Sequence, residues 1–112
     1  MNALEERRQF PRVKVSFPVE CKTLPSRKYF YTVSKDVSMI GMKILINGFI
    51  PRDRLLRLDL NLIDKVLELK AKIVWCNRER MSDKYSAGLQ FVELGQDCHK
   101  TLTQFLSNVC LA

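Results

Sequence analysis

Apolar residues recur at every second position in one short stretch after another, and this pattern restricts the chain to strands. Val13, Val15, Phe17, Val19 and Cys21 are interleaved with Lys14, Ser16, Glu20 and Lys22. Leu56, Leu58 and Leu60 alternate with Arg57 and Asp59, and Leu67, Leu69, Ala71, Ile73 and Trp75 continue the rhythm over a longer run. A period of two puts one set of side chains on one face, which describes a half-buried strand and excludes a helix. Pro18 inside the first run points to an edge or a bulge, because proline gives the ladder no N–H. Lys28 to Ser34, rich in aromatic and β-branched residues, reads as a second strand. Met42–Ile46 and Ala87–Phe91 supply a third and a sixth. Turn chemistry separates them: Pro25-Ser26, the stretch Asp36 to Gly41, Asn47-Gly48, Pro51-Arg52-Asp53, Asn61 to Lys65 and Arg78 to Lys84. Trp75, closing the apolar face of the fifth strand, could stack on a base but is expected in the core.

The period changes at the end. Leu102, Phe105, Leu106 and Val109 follow the spacing of an amphipathic helix, predicted over 96–109. Asp97 suits its N-cap or first turn. The helix's apolar face should cover an open end or side of the sheet. The predicted fold class is therefore all-β: a small six-stranded antiparallel β-barrel with a C-terminal α-helix. One domain is expected, divided into an N-terminal arm at 1–12, a barrel at 13–94 and the helix.

With 112 residues, 46% of them hydrophobic and 28% charged, the chain has globular composition and enough length for one core. No apolar run is long enough to span a membrane. Glu5, Glu6, Arg7, Arg8 and Arg12 in the opening residues are unlike an export signal. The cysteines Cys21, Cys76, Cys98 and Cys110 show no CxxC pairing, so they read as reduced and buried or partly buried, in the cytoplasm. Cys98-His99 offers two metal ligands without a second pair, and no metal site is expected. The net charge of +7 is uneven: residues 1–35 carry +5 and the remainder +2. That asymmetry points to an anionic partner near the N-terminal end.

Catalytic signatures are lacking. His99 is the sole histidine, and there is no G-x-S-x-G, H-E-x-x-H or phosphate-binding glycine pattern. The expectation is a binding protein without enzyme activity and without a cofactor. Arg7-Arg8-Gln9-Phe10-Pro11-Arg12 places three guanidiniums within six residues. Their planar forks suit phosphate oxygens and the O6/N7 edge of guanine. Asp36-Val37-Ser38-Met39-Ile40-Gly41 is a D-x-S-x-x-G between two strands. Its carboxylate can accept from the N1–H and N2–H₂ donors of guanine, its hydroxyl can donate or accept, and Gly41 allows close backbone approach. Taken singly, the first motif equally describes a solvated basic face and the second an ordinary turn. Tyr29, Phe30 and Tyr31 beside Lys28 could form a stacking platform or simply a strand with outward aromatics. Arg52, Arg54 and Arg57 could form a partner-facing or membrane-facing patch or a solvated face.

In order and in context, RRxxxR at 7–12 and DxSxxG at 36–41 resemble the PilZ domain family, as do AKIVW at 71–75, AGLQF at 87–91 and the terminal helix. The resemblance spans nearly the whole chain. It implies a receptor for cyclic di-GMP, a bacterial second messenger, in which a flexible N-terminal arm folds over the ligand. By motif position Arg8 and Arg12 would contact phosphate and guanine edges. Arg7 would accompany two intercalated ligand molecules rather than one. Asp36, Ser38 and Gly41 would form the loop that reads a base. Such a chain, carrying no output domain, would signal by ordering its arm and meeting an effector protein of unidentified sequence. Two other readings remain at this stage: a nucleic-acid-binding β-barrel, with steep salt dependence and poor base selectivity, and an adaptor of the same fold that responds to protein alone.

Overall fold

A computed structural model describes residues 16–24, 28–63 and 65–111. Each alternating stretch within them forms a strand. In chain order these are β1 (Pro18–Leu24), β2 (Tyr29–Val37), β3 (Gly41–Ile46), β4 (Leu55–Asn61), β5 (Val66–Arg78) and β6 (Tyr85–Glu93), followed by helix α1 (Gln96–Leu111). The strands close into a barrel in the order β1-β2-β3-β6-β5-β4, and every neighbouring pair is antiparallel. This is the expected fold class. Val13, Val15 and the whole arm at 1–12 lie outside the described residues.

The inward faces fill the barrel. Leu56, Leu58 and Leu60 of β4 meet Leu67, Leu69, Ala71 and Ile73 of β5, with Val19, Cys21 and Ile44 completing the interior. Burying each large aliphatic side chain stabilises the fold by roughly 1.5–3 kcal/mol, so the leucine alternation in β4 and β5 dominates the core energetics. Cys21 behaves as one more apolar filler. Burial, then the nearby Asp59 and Glu20 carboxylates, push its thiol up to about 12 and keep it neutral. Cys21, Cys76 and Cys98 are all free thiols.

Four expectations are corrected. β2 runs on through Asp36 and Val37, which pair with Lys43 and Met42, so the turn is confined to residues 38–40. Trp75 is not core: it is 36% exposed. The β5–β6 register slips between Ile73 and Trp75, and an irregularity there moves the next side chain off the inward face. Pro18 sits on no free edge but is the first residue of β1. It pairs with Val33 of β2, while the β1–β4 ladder begins one residue later at Val19, so its missing donor breaks no bond. The helix starts at Gln96 with Asp97 in its first turn, as expected, but runs two residues past the predicted end, to Leu111.

The helix covers the barrel end where β1 enters and β2 turns into β3. Leu102 is fully buried and Leu106 nearly so. The Phe105 ring meets Phe17 edge to face at 5.1 Å, and the Thr103 hydroxyl, which donates to the His99 carbonyl at 2.7 Å, lies 3.6 Å from Met39 Sδ. On the barrel wall Arg57 pairs with Glu68, and the Arg54 carbonyl accepts from Ile73 N–H at 3.0 Å. Of the arginines at 52, 54 and 57, Arg57 thus commits its guanidinium to an ion pair on the barrel wall.

A polar strap links β2 to the β5–β6 hairpin. Lys35 Nζ lies 2.9 Å from Glu79 Oε1, and the Ser86 hydroxyl donates to the same oxygen. The Ser86 hydrogen bond first, then the Lys35 hydrogen bond, hold the Glu79 carboxyl below its ordinary value of 4.5. A depressed carboxyl contributes stability above its unfolded pKa, and the contribution is lost as pH falls through the folded value. Glu79→Gln should therefore lower urea stability near neutral pH, and the gap to the parent protein should narrow as the pH falls below that ordinary value. A gap of constant size across the acid range would show that the strap does not titrate as described.

Candidate functional site

The connection between β2 and β3 is built from an irregular ladder. Ser34 pairs with Ile44, but the register slips before Asp36 pairs with Lys43. After Val37 the chain turns over Ser38, Met39 and Ile40. Ser38 N–H donates to the Gly41 carbonyl at 2.8 Å, and its hydroxyl donates to the same oxygen at 3.3 Å. The hydroxyl oxygen accepts from Ile40 N–H at 3.2 Å and from Gly41 N–H at 3.3 Å. One donor and two lone pairs are all that a serine hydroxyl has, so this side chain, 2% exposed, is fully occupied in holding the bend.

Gly41 is required by packing. A Cβ at this position would collide with the backbone carbonyl of Leu89 on β6. Phe91 N–H donates to the Ile40 carbonyl at 2.8 Å, which ties the bend to β6 directly. Asp36 is held at the end of β2 and is only 9% exposed. The motif Asp36, Ser38 and Gly41 is therefore gathered into one rigid corner. Arg7, Arg8 and Arg12, the other predicted ligand-binding residues, fall outside the described residues.

Two side chains that the sequence reading did not assign to the site adjoin this corner. Trp75 of β5 pairs with Gly88 of β6, and a Cβ on Gly88 would run into the indole. The indole therefore occupies the space over the glycine while remaining 36% exposed. Lys43 of β3 places its ammonium 5.7 Å from the ring centroid, within range for a cation–π contact. Ser38, Ile40, Gly41, Lys43, Trp75 and Gln90 border a surface hollow of about 170 Å³, room for one base rather than a whole dinucleotide. The signal in the sequence was Gly88, because a glycine inside a strand marks a close approach by something bulky. The corner combines an acidic acceptor, an aromatic face and an ammonium, which suits a planar heterocycle bearing N–H donors and an attached anion.

Elsewhere the candidates separate. His99 is exposed on the helix. Cys98 Sγ lies 3.6 Å from the Glu68 carbonyl, and among the described residues no group of three or more metal-ligating side chains comes together. Tyr29 and Tyr31 project from β2 at 59% and 76% exposure. They lie on the stretch of β2 beyond its β3 pairing, away from the corner.

The family model for the PilZ domain matches residues 6–108. No curated protein matches the chain in sequence. Among solved structures, the Bacillus subtilis inhibitor of motility MotI/DgrA superposes with a TM-score of 0.80 at 21% identity, covering 94% of this chain and 51% of that one. The PilZ domain of Escherichia coli YcgR, solved with c-di-GMP, gives 0.75 at 13% identity over 94% of this chain and 92% of that one. The K. pneumonia MrkH–c-di-GMP complex gives 0.77 at 17% identity over 94% and 53%. The chain thus spans about half the length of MotI/DgrA and of MrkH, and nearly all of the YcgR domain.

Trp75 is the sole tryptophan, so its emission reports on the corner alone. Gly88→Ala should displace the indole, shift that emission and cost about 1–3 kcal/mol of stability through overpacking. An unchanged spectrum would show that the indole does not rest on Gly88.

Proposed function

We propose that this chain, which belongs to the PilZ domain family, is a receptor for cyclic di-GMP that binds the nucleotide between its N-terminal arginines and the β2–β3 corner. The observation that carries the reading is the rigid Asp36–Gly41 bend beside the exposed Trp75 face. The ligand offers two guanines and two phosphates. Asp36 accepts from the Watson–Crick donors of one guanine, while Ser38 and Gly41 fix the bend so that the carboxylate meets the base in one geometry. Trp75 and Lys43 give a base a stacking surface and a nearby positive charge. Arg8 and Arg12 pair with phosphate and with the O6/N7 edge, where bidentate charge-assisted bonds are strong. Arg7 supplies a further fork, and with it the site takes two intercalated ligand molecules.

Chain connectivity supports the pairing of the two motifs. Arg12 precedes Ser16 by four residues, and a chain spans at most about 3.6 Å per residue. Arg12 is therefore tethered within roughly 14 Å of Ser16. The next residue, Phe17, meets Ser34 in both directions: Phe17 N–H donates to Ser34 Oγ at 3.0 Å, and Ser34 N–H donates to the Phe17 carbonyl at 2.9 Å. Ser34 lies two residues before Asp36 on β2.

The proposed mechanism is an ordering of the arm. Like-charged arginines repel until the ligand's phosphates neutralise them, and the arm then closes over the nucleotide and changes the surface offered to an effector protein. The protein acts as an adaptor, not as a catalyst, in the cytoplasm. The free thiols fit a reducing compartment, and among the described residues no helix is long and apolar enough to cross a membrane.

Titration calorimetry with cyclic di-GMP tests this reading. Saturable binding is expected, with GTP and cyclic di-AMP far weaker. Arg8→Ala and Asp36→Ala should each weaken binding by roughly 5- to 150-fold, the worth of one bidentate pair. Hydrogen exchange at residues 5–14 should slow only when ligand is present. Absence of heat with the dinucleotide, or equal protection of the arm without it, would overturn the proposal.

A further inference from the structure

β2 changes its ladder neighbour along its length. Residues 29–33 pair with β1, from Lys22↔Tyr29 to Pro18↔Val33. Pairing with β3 begins only at Ser34↔Ile44 and continues through Val37↔Met42. β3 in turn gives Leu45 and Ile46 to β6, opposite Ser86 and Tyr85. The β2–β3 seam is held as far as Thr32, whose hydroxyl donates to the Leu45 carbonyl, and parts beyond it. The parted end is a cleft of about 630 Å³ between the edge of β2 and the segment Leu45–Ile50.

The direction of the backbone groups in this cleft follows from two bonds. Ser34 N–H donates to Phe17 and the Lys28 carbonyl accepts from Thr23, both toward β1. In an antiparallel strand the N–H and C=O of one residue point the same way, and successive residues alternate. The even-numbered residues of this stretch therefore serve β1, and the N–H and C=O of Tyr29 and Tyr31 point into the cleft. Among the described residues they have no ladder partner there. An open strand edge is a template for another strand.

The lining states what that strand should be. Tyr29 and Tyr31 stand exposed beside it and Phe49, 62% exposed, lies across it, with its ring packed 6.2 Å from that of Tyr85. The charged residues of the lining are Lys28 and Lys84, and Lys22 sits 5.2 Å from the Tyr29 ring centroid. No carboxylate lines the cleft among the described residues. We infer that the parted seam between β2 and Ile46–Ile50 is a docking site for an extended, acidic segment of a partner protein, which adds as a strand to the edge at Tyr29–Tyr31. Main-chain bonds to Tyr29 and Tyr31 supply the pairing, alternate apolar side chains meet Phe49 and the tyrosines, and the acidic ones meet Lys28 and Lys84. A nucleic acid has no backbone to complete a strand ladder. The site is independent of the nucleotide reading: it uses none of the same residues, and a failed dinucleotide titration leaves it standing.

The probe is an acetylated and amidated octapeptide of alternating valine and glutamate, titrated into the full chain and followed by amide NMR. Saturable shifts at Tyr29 and Tyr31, with slowed amide exchange at both, are expected. A peptide with lysine in place of glutamate should bind at least tenfold more weakly. N-methylation of alternate peptide nitrogens, which leaves every side chain in place, should abolish binding. Tyr31→Pro, which removes an outward N–H without touching the β1 ladder, should also abolish it. Equal binding of the N-methylated or lysine peptide would overturn the inference. So would binding of single-stranded oligodeoxythymidylate at the same amides, or protection of those amides by self-association of the chain alone.

Discussion

The Ser38 hydroxyl donates to one backbone carbonyl and accepts from two backbone N–H groups, all within four residues, and the position of the functional face follows from that closure. It allows β2 to reverse into β3 over three residues. The reversal brings Gly41 against the Leu89 carbonyl, at a distance only glycine can occupy. Once Gly41 is seated, the Ile40 carbonyl can accept from Phe91, and the bend becomes part of the β3–β6 wall rather than a loop above it. Asp36 and Lys43 are then opposite one another across the ladder, with Trp75 beyond. A buried, fully satisfied hydroxyl of this kind is costly to lose because the Gly41 N–H it serves is itself buried.

The same strand behaves differently at its two ends. Toward Val37, β2 is paired with β3 and buried. Toward Tyr29 it is paired with β1 only, and its side chains alternate between half-buried and exposed. The slip at Ser34/Asp36 divides the two regimes, and irregularities of this kind both bend a strand and end a pairing. A receptor that must hold a ligand rigidly at one place and meet another protein at a second is served by this division. The proposed ligand corner and the proposed docking seam lie on one continuous strand, on either side of that slip.

Much of this was legible in the chain. The leucines of β4 and β5 announce their strands because alternation is a local property, and the Leu102, Phe105, Leu106 spacing announces the helix for the same reason. The grouping of Asp36, Ser38 and Gly41 was legible because six residues between two strands must form a turn. What the sequence concealed depends on partners far along the chain. Trp75 fits the apolar rhythm of β5 and would be buried were it not for a register slip against β6, which no local pattern records. Asp36 and Val37 look like turn residues and become strand because Lys43 and Met42 pair with them. The role of Ser38 was half visible: the residue type was right for a turn, but the complete use of its hydroxyl inside the bend depends on backbone geometry. Lys43 and Trp75 come from strands distant in sequence and meet only in the closed barrel.

The central claim is that cyclic di-GMP is read at the Ser38–Gly41 corner, and amide and indole NMR of the full chain with and without the nucleotide tests it most directly. The account predicts that the largest ligand-induced shifts fall on Asp36, Met39, Ile40, Gly41 and the Trp75 indole N–H, while Tyr29 and Tyr31 move little. Shifts confined to the β2 edge, or a corner that stays unchanged at saturating nucleotide, would contradict it.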